Sequence, residues 1–453
     1  MLLETIFPKD KKHFSETTIF YFSILAVSAA VIFSFADLTK NLFIYNQFIR
    51  VNTFTAIMNI LILGGTLITI LSSKSYLETE NINYGEYYSL LFFSVLGMML
   101  MIHANDLIIL FIGLELMSIS FYVLSGFMRK KIESNESALK YFLLGAFITG
   151  FFLLGIAMIY GYNGSTNYTN IRFTGNIDLF YRIGLILVFT AFIFKIGSFP
   201  LQMWIPDVYQ GAPTIVTGMM SSIGKTAAFG AMIVFFNSYN FKDISTLIAI
   251  ISILTMLYGN IVALSQTNIK RLLAYSSIAH AGYLLIGFIV LTNTAVYAIL
   301  FYLVAYILMQ LGAFIIAAMI EENIPEHSMR NSLESYKGIG KSNPGLSVML
   351  TVFLLSLAGI PPLAGFWGKY YIFLTAIQNN YLWVAITGII LSLIGVYYYI
   401  KIILYMWFYN PVTGSIKLRQ EYSFAAALLS VAGISIFGIW PELIIKYIRT
   451  VII

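Results

Sequence analysis

Apolar runs of about twenty residues, separated by short polar connections, fill the chain from residue 17 to residue 445. A helix that crosses bilayer hydrocarbon needs about 20 mostly apolar residues. On that ruler the pattern predicts thirteen spans, at 17–36, 54–73, 87–103, 106–127, 137–160, 178–209, 213–236, 243–264, 271–292, 295–320, 345–378, 381–407 and 422–445. The short alternating segments of a β-barrel are absent. Between the first two spans, DLTKNLFIYNQFIRVNT (37–53) reads as an amphipathic connection lying on the membrane surface. The pattern therefore predicts an all-α integral membrane protein of about 13 transmembrane helices.

Two spans are interrupted. Segment 178–209 contains FKIGSFPLQMWIPD, with Pro200 and Pro206 inside an otherwise apolar run. Segment 345–378 contains LAGIPPLAGFWGKYY, with Pro361, Pro362, Gly365 and Gly368. Proline removes a backbone donor and clashes with the preceding turn. At membrane depth such breaks survive only where protein or a water-filled cavity satisfies the freed backbone. Broken helices at corresponding places in two halves of a chain point to a transporter built from inverted repeats. The implied division is 1–105 for the N-terminal helices, 106–264 and 265–407 for two repeats, and 408–453 for a C-terminal helix.

Composition strengthens the class. Hydrophobic residues make up 59% of the 453 and charged residues only 10%, against about a quarter charged in soluble domains. The absence of cysteine excludes disulfides and cysteine-ligated iron–sulfur clusters within this chain. Four scattered histidines argue against a haem or zinc site. The formal charge of +6 does not indicate nucleic acid, because no basic stripe with interleaved aromatics accompanies it. The opening MLLETIFPKDKKHFSE lacks the order of a cleaved signal peptide, so the first span is expected to act as an uncleaved anchor.

The basic residues also set an orientation. With Arg129, Lys130 and Lys131 in the cytoplasm, that side also collects Lys9, Lys11, Lys12, Lys74, Lys270, Arg271, Arg330, Lys337, Lys341, Lys417 and Arg419. The other side holds Lys40, Arg50, Arg172, Arg182, Lys242, Lys446 and Arg449. This bias predicts a cytoplasmic N-terminus and an outside C-terminus.

Five lysines fall inside spans: Lys140, Lys195, Lys225, Lys369 and Lys401. Glu115, in GLELMSIS, is also mid-span. A charge at the bilayer centre costs about 2.5–3.5 kcal/mol on insertion scales. Burial lowers a lysine pKa and raises that of a glutamate, which suits both to accept and release protons. Glu115, Lys195, Lys225 and Lys369 thus form a candidate proton relay. The competing reading of Glu115 is a structural salt bridge to Lys195 or Lys225. Lys195 and Lys369 could also neutralise carbonyls of the broken backbone. Lys140, four residues after Glu136, and Lys401 could snorkel to the interface. His280, in AYSSIAHAGYLL, is either a relay group or a histidine bonded to a neighbouring helix. Asp207 is expected to cap a helix.

The strings GLELMSISFYVLSGF, ESALKYFLLGAF, FKIGSFPLQMWIPDVYQGAPTIVTGMMSSIGKTAAFG, NIKRLLAYSSIAHAGYLLIG and LAGIPPLAGFWGKYYIF resemble the antiporter-like membrane subunits of bacterial respiratory complex I. Within that family, the lysine of GFWGKYY, a length near 450 and the lack of a long lateral helix resemble the N-type subunits. The resemblance implies a proton-translocating subunit of an NADH-quinone oxidoreductase in the bacterial inner membrane, and so part of an enzyme whose redox site lies outside this chain. Other membrane subunits would be its partners, with NADH, FMN, iron–sulfur clusters and quinone bound elsewhere in the complex. It implies that Glu115 tunes Lys195, that Lys225 is the central lysine and that Lys369 lies on the exit side. It also matches Lys140 to a family lysine in the helix after the glutamate. Multisubunit cation/proton antiporters share the pattern and are the alternative. N-type subunits usually have fourteen helices, so the first helix of the family is expected to be missing, with MLLETIF as its remnant.

Overall fold

The computed structural model describes residues 12–170, 179–239, 244–324, 329–412 and 421–451, with side chains from residue 16. The MLLETIF segment and Lys9, Lys11, Arg172, Lys242, Lys417 and Arg419 lie outside the described residues. The chain is a helical bundle. In order come α1 (Lys12–Ala36), a hairpin of β1 (Leu42–Ile44) and β2 (Ile49–Val51), α2 (Thr53–Thr79), α3 (Gly85–His103), α4 (Leu107–Ser125) and α5 (Ile132–Asn163). Then follow α6 (Leu179–Ile196), α7 (Trp204–Gly211), α8 (Thr214–Ser238), α9 (Ser245–Leu264), α10 (Ile269–Ile286) and α11 (Asn293–Glu321). The second broken helix is α12 (Pro344–Ala358) and α13 (Ala364–Gln378), and α14 (Leu382–Phe408), α15 (Glu421–Ile439) and α16 (Glu442–Ile448) complete the bundle.

Among the described residues, 11 helices are long and apolar enough to cross a membrane. The two other predicted spans are α10, whose polar start with Lys270 and Arg271 lowers its hydropathy, and the pair α12 and α13, each 15 residues long. All thirteen predicted spans thus coincide with helices. Within the connection expected at the surface, residues 42–51 form a two-stranded antiparallel hairpin. Tyr45, Asn46 and Gln47 take positive φ at its tip, which no helix tolerates in succession.

Short polar residues start several helices. Asn52 and Thr55 form a reciprocal capping pair at α2. Asp106 accepts from the Ile108 amide at α4, and Asn268 accepts from Lys270 and Arg271 at α10. α8 and α11 are buried almost throughout, whereas α1, α5, α14 and α15 turn broad apolar faces outward.

Lipid tails are as apolar as leucine, so close van der Waals approach must hold such helices together, and small residues permit it. α3 and α4 meet at Gly97 and Gly113, where a Cβ on either would lie 2.6 and 2.8 Å from the other's carbonyl oxygen. Gly155 and Gly184 join α5 to α6 in the same way, at 2.8 and 3.0 Å. On α10, a Cβ at Gly282 would sit 2.8 Å from the Met256 amide of α9.

Gly113→Leu is expected to push α3 from α4 and abolish a monodisperse detergent-solubilised protein, read by size-exclusion chromatography and thermal unfolding. Gly161→Leu, on α5 with nothing within 4 Å of its would-be Cβ, is expected to leave both unchanged.

Candidate functional site

The two breaks end their first half-helices alike. After α6, Gly197 has φ +71°, its amide donates to Phe194 O (3.0 Å), and the Ser198 amide reaches back to Ile193 O (2.9 Å). After α12, Gly359 has φ +84°, its amide donates to Ser356 O (3.0 Å), and the Ile360 amide reaches Leu355 O (3.0 Å). Both pairs make the six-residue closure that glycine in the left-handed region allows at a helix end. Pro200, Pro361 and Pro362 fall in the gaps that follow. Pro206 does not break a helix. It occupies the first turn of α7, where no intrahelical donor is required of it.

Each break holds a lysine. Lys195, 6% exposed, sits in the last turn of α6 and donates to Ser118 Oγ (2.6 Å) and to the Tyr122 hydroxyl (3.4 Å) of α4. The rings of Tyr122 and Tyr141 lie 5.4 and 5.5 Å from its ammonium, close enough for cation–π attraction. Lys369, also 6% exposed, lies on α13 and turns back to donate to Ala358 O (2.9 Å), a carbonyl orphaned at the end of α12. The Tyr283 ring stands 4.9 Å from its Nζ.

Lys225 occupies the centre. It is 2% exposed and follows a π-turn at Met220–Gly224 in α8; such turns recur at functional positions. Its Nζ donates to Ser277 O (2.9 Å) and Ser277 Oγ (2.5 Å) on α10. It also lies 3.8 Å from where Gly197 would carry a Cβ, so the central lysine touches the first break. Any side chain at Gly197 would meet Ile205 at 1.7 Å as well as adopting a strained φ.

Polar groups continue past Ser277. Its neighbour Ser276 hydrogen-bonds the Tyr399 hydroxyl of α14. That hydroxyl lies 3.2 Å from His280 Nε2, and His280 Nδ1 lies 2.6 Å from the Tyr302 hydroxyl of α11. A neutral imidazole can donate through one nitrogen and accept at the other. The Tyr302 ring in turn packs against Gly368, with 2.3 Å to a would-be Cβ beside Lys369. His280 therefore bridges the central lysine and the second break. Sequence reading singled out His280. It missed Tyr302, Tyr399, Ser118 and Tyr122, because a tyrosine on an apolar helix has no periodic signal separating it from core.

Glu115 is half-buried and accepts from the Thr149 hydroxyl of α5 (2.7 Å). It makes no ion pair with Lys195 or Lys225 among the described residues, and Ser118, which accepts from Lys195, lies three residues on along α4. Lys140 stands apart from the row. It is 42% exposed and pairs with Glu136 (2.7 Å) and Asp207 (2.8 Å), and Asp207 also holds Arg271 (2.8 Å). Asp207 is thus an ion-pair bridge within α7 and not the helix cap expected. Lys401 lies 6.0 Å from the Tyr405 ring.

The end of the bundle near Lys131 carries a second polar assembly. Glu80, 6% exposed, pairs with Lys131 (2.7 Å) and Arg330 (2.6 Å). Lys270, assigned to a loop by the sequence pattern, is buried in the first turn of α10 and donates to Ala212 O (2.6 Å). Both Lys270 and the buried Glu321 line a cavity of about 870 Å³ together with Lys131 and Arg330. Next to it, burial pushes the Glu322 carboxyl up to about 7, against hydrogen bonds from Ser75 and Thr79 that pull it down.

Residues 104–395 match the family model described as NADH:quinone oxidoreductase/Mrp antiporter, TM. The chain belongs to this family. Its relatives include the NADH-quinone oxidoreductase subunit N of Trichlorobacter lovleyi, 43% identical over 420 residues, covering 89% of this chain and 84% of the relative. Another is the subunit N 1 of Thermodesulfovibrio yellowstonii, 39% identical, covering 93% and 90%. Among solved structures, a chain of respiratory complex I from Thermus thermophilus with bound aureothin is 30% identical with a TM-score of 0.84, covering 98% of this chain and 95% of that one. A chain of the Mrp complex from Dietzia sp. is 18% identical with a TM-score of 0.86, covering 96% and 92%, and shares the fold. The chain is therefore an antiporter-like membrane subunit of the NADH-quinone oxidoreductase subunit N type.

Removing one partner from a fully buried ion pair costs about 3–5 kcal/mol, and less where, as at Lys131, the remaining charge is about a third exposed. Glu80→Gln is expected to strand Lys131 and Arg330 and lower the unfolding temperature of the purified protein by several degrees. Because Glu322 holds its proton more tightly when folded, its contribution is complete below about pH 4.5 and is lost as pH rises towards 7. Glu322→Gln is therefore expected to gain thermal stability over the unsubstituted protein at pH 8, and to match it at pH 4.

Proposed function

We propose that this chain translocates protons as the N-type subunit of a bacterial NADH-quinone oxidoreductase. Protons move along Glu115, Lys195, Lys225 and Lys369, with His280 linking the last two and Lys140 feeding the row from its exposed ion cluster. The observation that carries this reading is the contact sequence from Lys225 through Ser277, Ser276, Tyr399, His280 and Tyr302 to the neighbour of Lys369. Hydroxyls and imidazole both donate and accept, so the hydrogen-bonded stretch from Ser276 through Tyr399 and His280 to Tyr302 can pass a proton; Ser277 joins it as the chain neighbour of Ser276, and Tyr302 meets the second break through its ring. The lysines are held by neutral oxygens or, for Lys195, aromatic faces, not by carboxylates. Each can therefore lose its proton without stranding a buried anion.

In this reading residues 106–264 and 265–407 are two inverted repeats, each with one lysine-bearing break. NADH, FMN, iron–sulfur clusters and quinone are bound by other subunits, and quinone reduction there drives the shifts in charge here. The Lys131 end faces the bacterial cytoplasm, with the N-terminus on that side and the C-terminus outside. The fold shared with the Mrp chain keeps a cation/proton antiporter subunit as the second reading. Co-purification separates the two: flavin and iron–sulfur proteins accompany the chain in the first reading and are absent in the second.

Lys225→Ala is expected to assemble, judged by native gel, and to reduce proton uptake by reconstituted complex about 100-fold or more. Unchanged pumping by an intact complex would remove Lys225 from the path. Tyr399→Phe, which deletes only the hydroxyl between Ser276 and His280, is expected to slow pumping by a smaller factor and leave assembly intact.

A further inference from the structure

The end of the bundle away from Lys131 carries a slot that the relay does not use. It has a volume of about 470 Å³ and lies between the end of α1, α2, α11, α15 and α16. Its walls are almost entirely hydrocarbon, including Leu38, Ile57, Gly64, Ile68, Phe437 and Tyr447. Gly64 lies midway along the α2 wall, and nothing stands within 4 Å of the Cβ it lacks. Packing beside it is tight, since a Cβ at the adjacent Gly65, which also lines the slot, would meet Ile223 at 2.8 Å. The opening is therefore a local feature of the lipid side and not loose packing of α2.

We infer that this slot is a binding site for one acyl chain of a membrane phospholipid, whose phosphate lies by Lys446. Length supports that occupant. From Ile57 to Ile68 is eleven residues of helix, or about 16 Å, which matches one leaflet of the roughly 30 Å hydrocarbon core. The slot thus runs from the interface to the bilayer midplane, the course of one acyl chain. Its shallow end is marked by Tyr447, 64% exposed, the residue type that gathers at the headgroup level. Lys446 sits beside Tyr447, exposed on α16, where a phosphate can reach it. The nearby acids do not close the site: Asp37 is taken by Lys40 (2.7 Å), and among the described residues Glu442, one turn before Lys446, forms no ion pair with it. A cavity lined by hydrocarbon stays dry and takes apolar guests, and lipid tails are the guest the bilayer offers.

The bound chain braces α2 from the lipid side, while Gly65 presses the same helix onto Ile223, two residues before Lys225. The test uses the complex purified from its own membranes, with tightly held phospholipid counted by native mass spectrometry after detergent washing. Gly64→Phe fills the slot and is expected to lose one phospholipid per complex. Gly150→Phe, a second glycine with nothing within 4 Å, is expected to keep it. Lys446→Gln is expected to weaken retention several-fold without eliminating it. A photo-crosslinking amino acid in place of Leu61 is expected to yield a phospholipid adduct in the otherwise unaltered chain. Retention of the full lipid count by Gly64→Phe would overturn the proposal. So would a Leu61-site adduct to a neighbouring protein, because a partner helix would then occupy the slot.

Discussion

An ammonium group buried in a bundle that lipid surrounds must find its acceptors inside the protein, and the rest of this structure is arranged around that need. Four lysines, Lys195, Lys225, Lys270 and Lys369, are less than a tenth exposed, and none has a carboxylate within ion-pair distance among the described residues. Their acceptors are serine and tyrosine oxygens and backbone carbonyls, of which Ala212 O and Ala358 O lie at helix ends and Ser277 O lies within α10. The second break thus supplies the acceptor of Lys369, while Lys195 and Lys225 rely on groups of the neighbouring α4 and α10. An ion pair would hold the same charge more firmly, but would penalise loss of the proton.

The same constraint explains why the breaks resemble each other. A helix that stops inside protein must close its last carbonyls, and a glycine at positive φ does so in one turn. At Gly359 the closure leaves the Ala358 carbonyl for Lys369. At Gly197 it leaves room for Lys225, since any side chain there would press on Ile205 and the lysine tip. The two sites use one backbone device for different ends, one to supply an acceptor and one to admit an amine.

Holding these groups in register falls to helix packing that gains little from hydrophobicity. Gly97 with Gly113 and Gly155 with Gly184 bring backbones into contact, and lipid cannot enter there. Ion pairs are kept for the end of the bundle, where Glu80, Lys131 and Arg330 meet. The molecule thus separates fixed charges at its rim from uncompensated amines at its centre.

The sequence by itself determined the membrane class, the thirteen spans, the two interrupted ones and the ionisable residues within them. Each of these follows from local hydropathy and from proline and glycine placement, which need no knowledge of neighbours. The hairpin at 42–51 escaped because three exposed apolar residues in a row suit a membrane surface in either conformation. Which groups each lysine touches was a question of distance across helices, and only the tertiary structure decided it. Packing set Lys140 among Asp207 and Arg271 at the rim, buried Lys270 against Ala212, and placed two tyrosines on either side of His280. Tyrosine and serine became part of the site through contact alone, because on an apolar helix their side chains look the same whether they face core, lipid or a lysine.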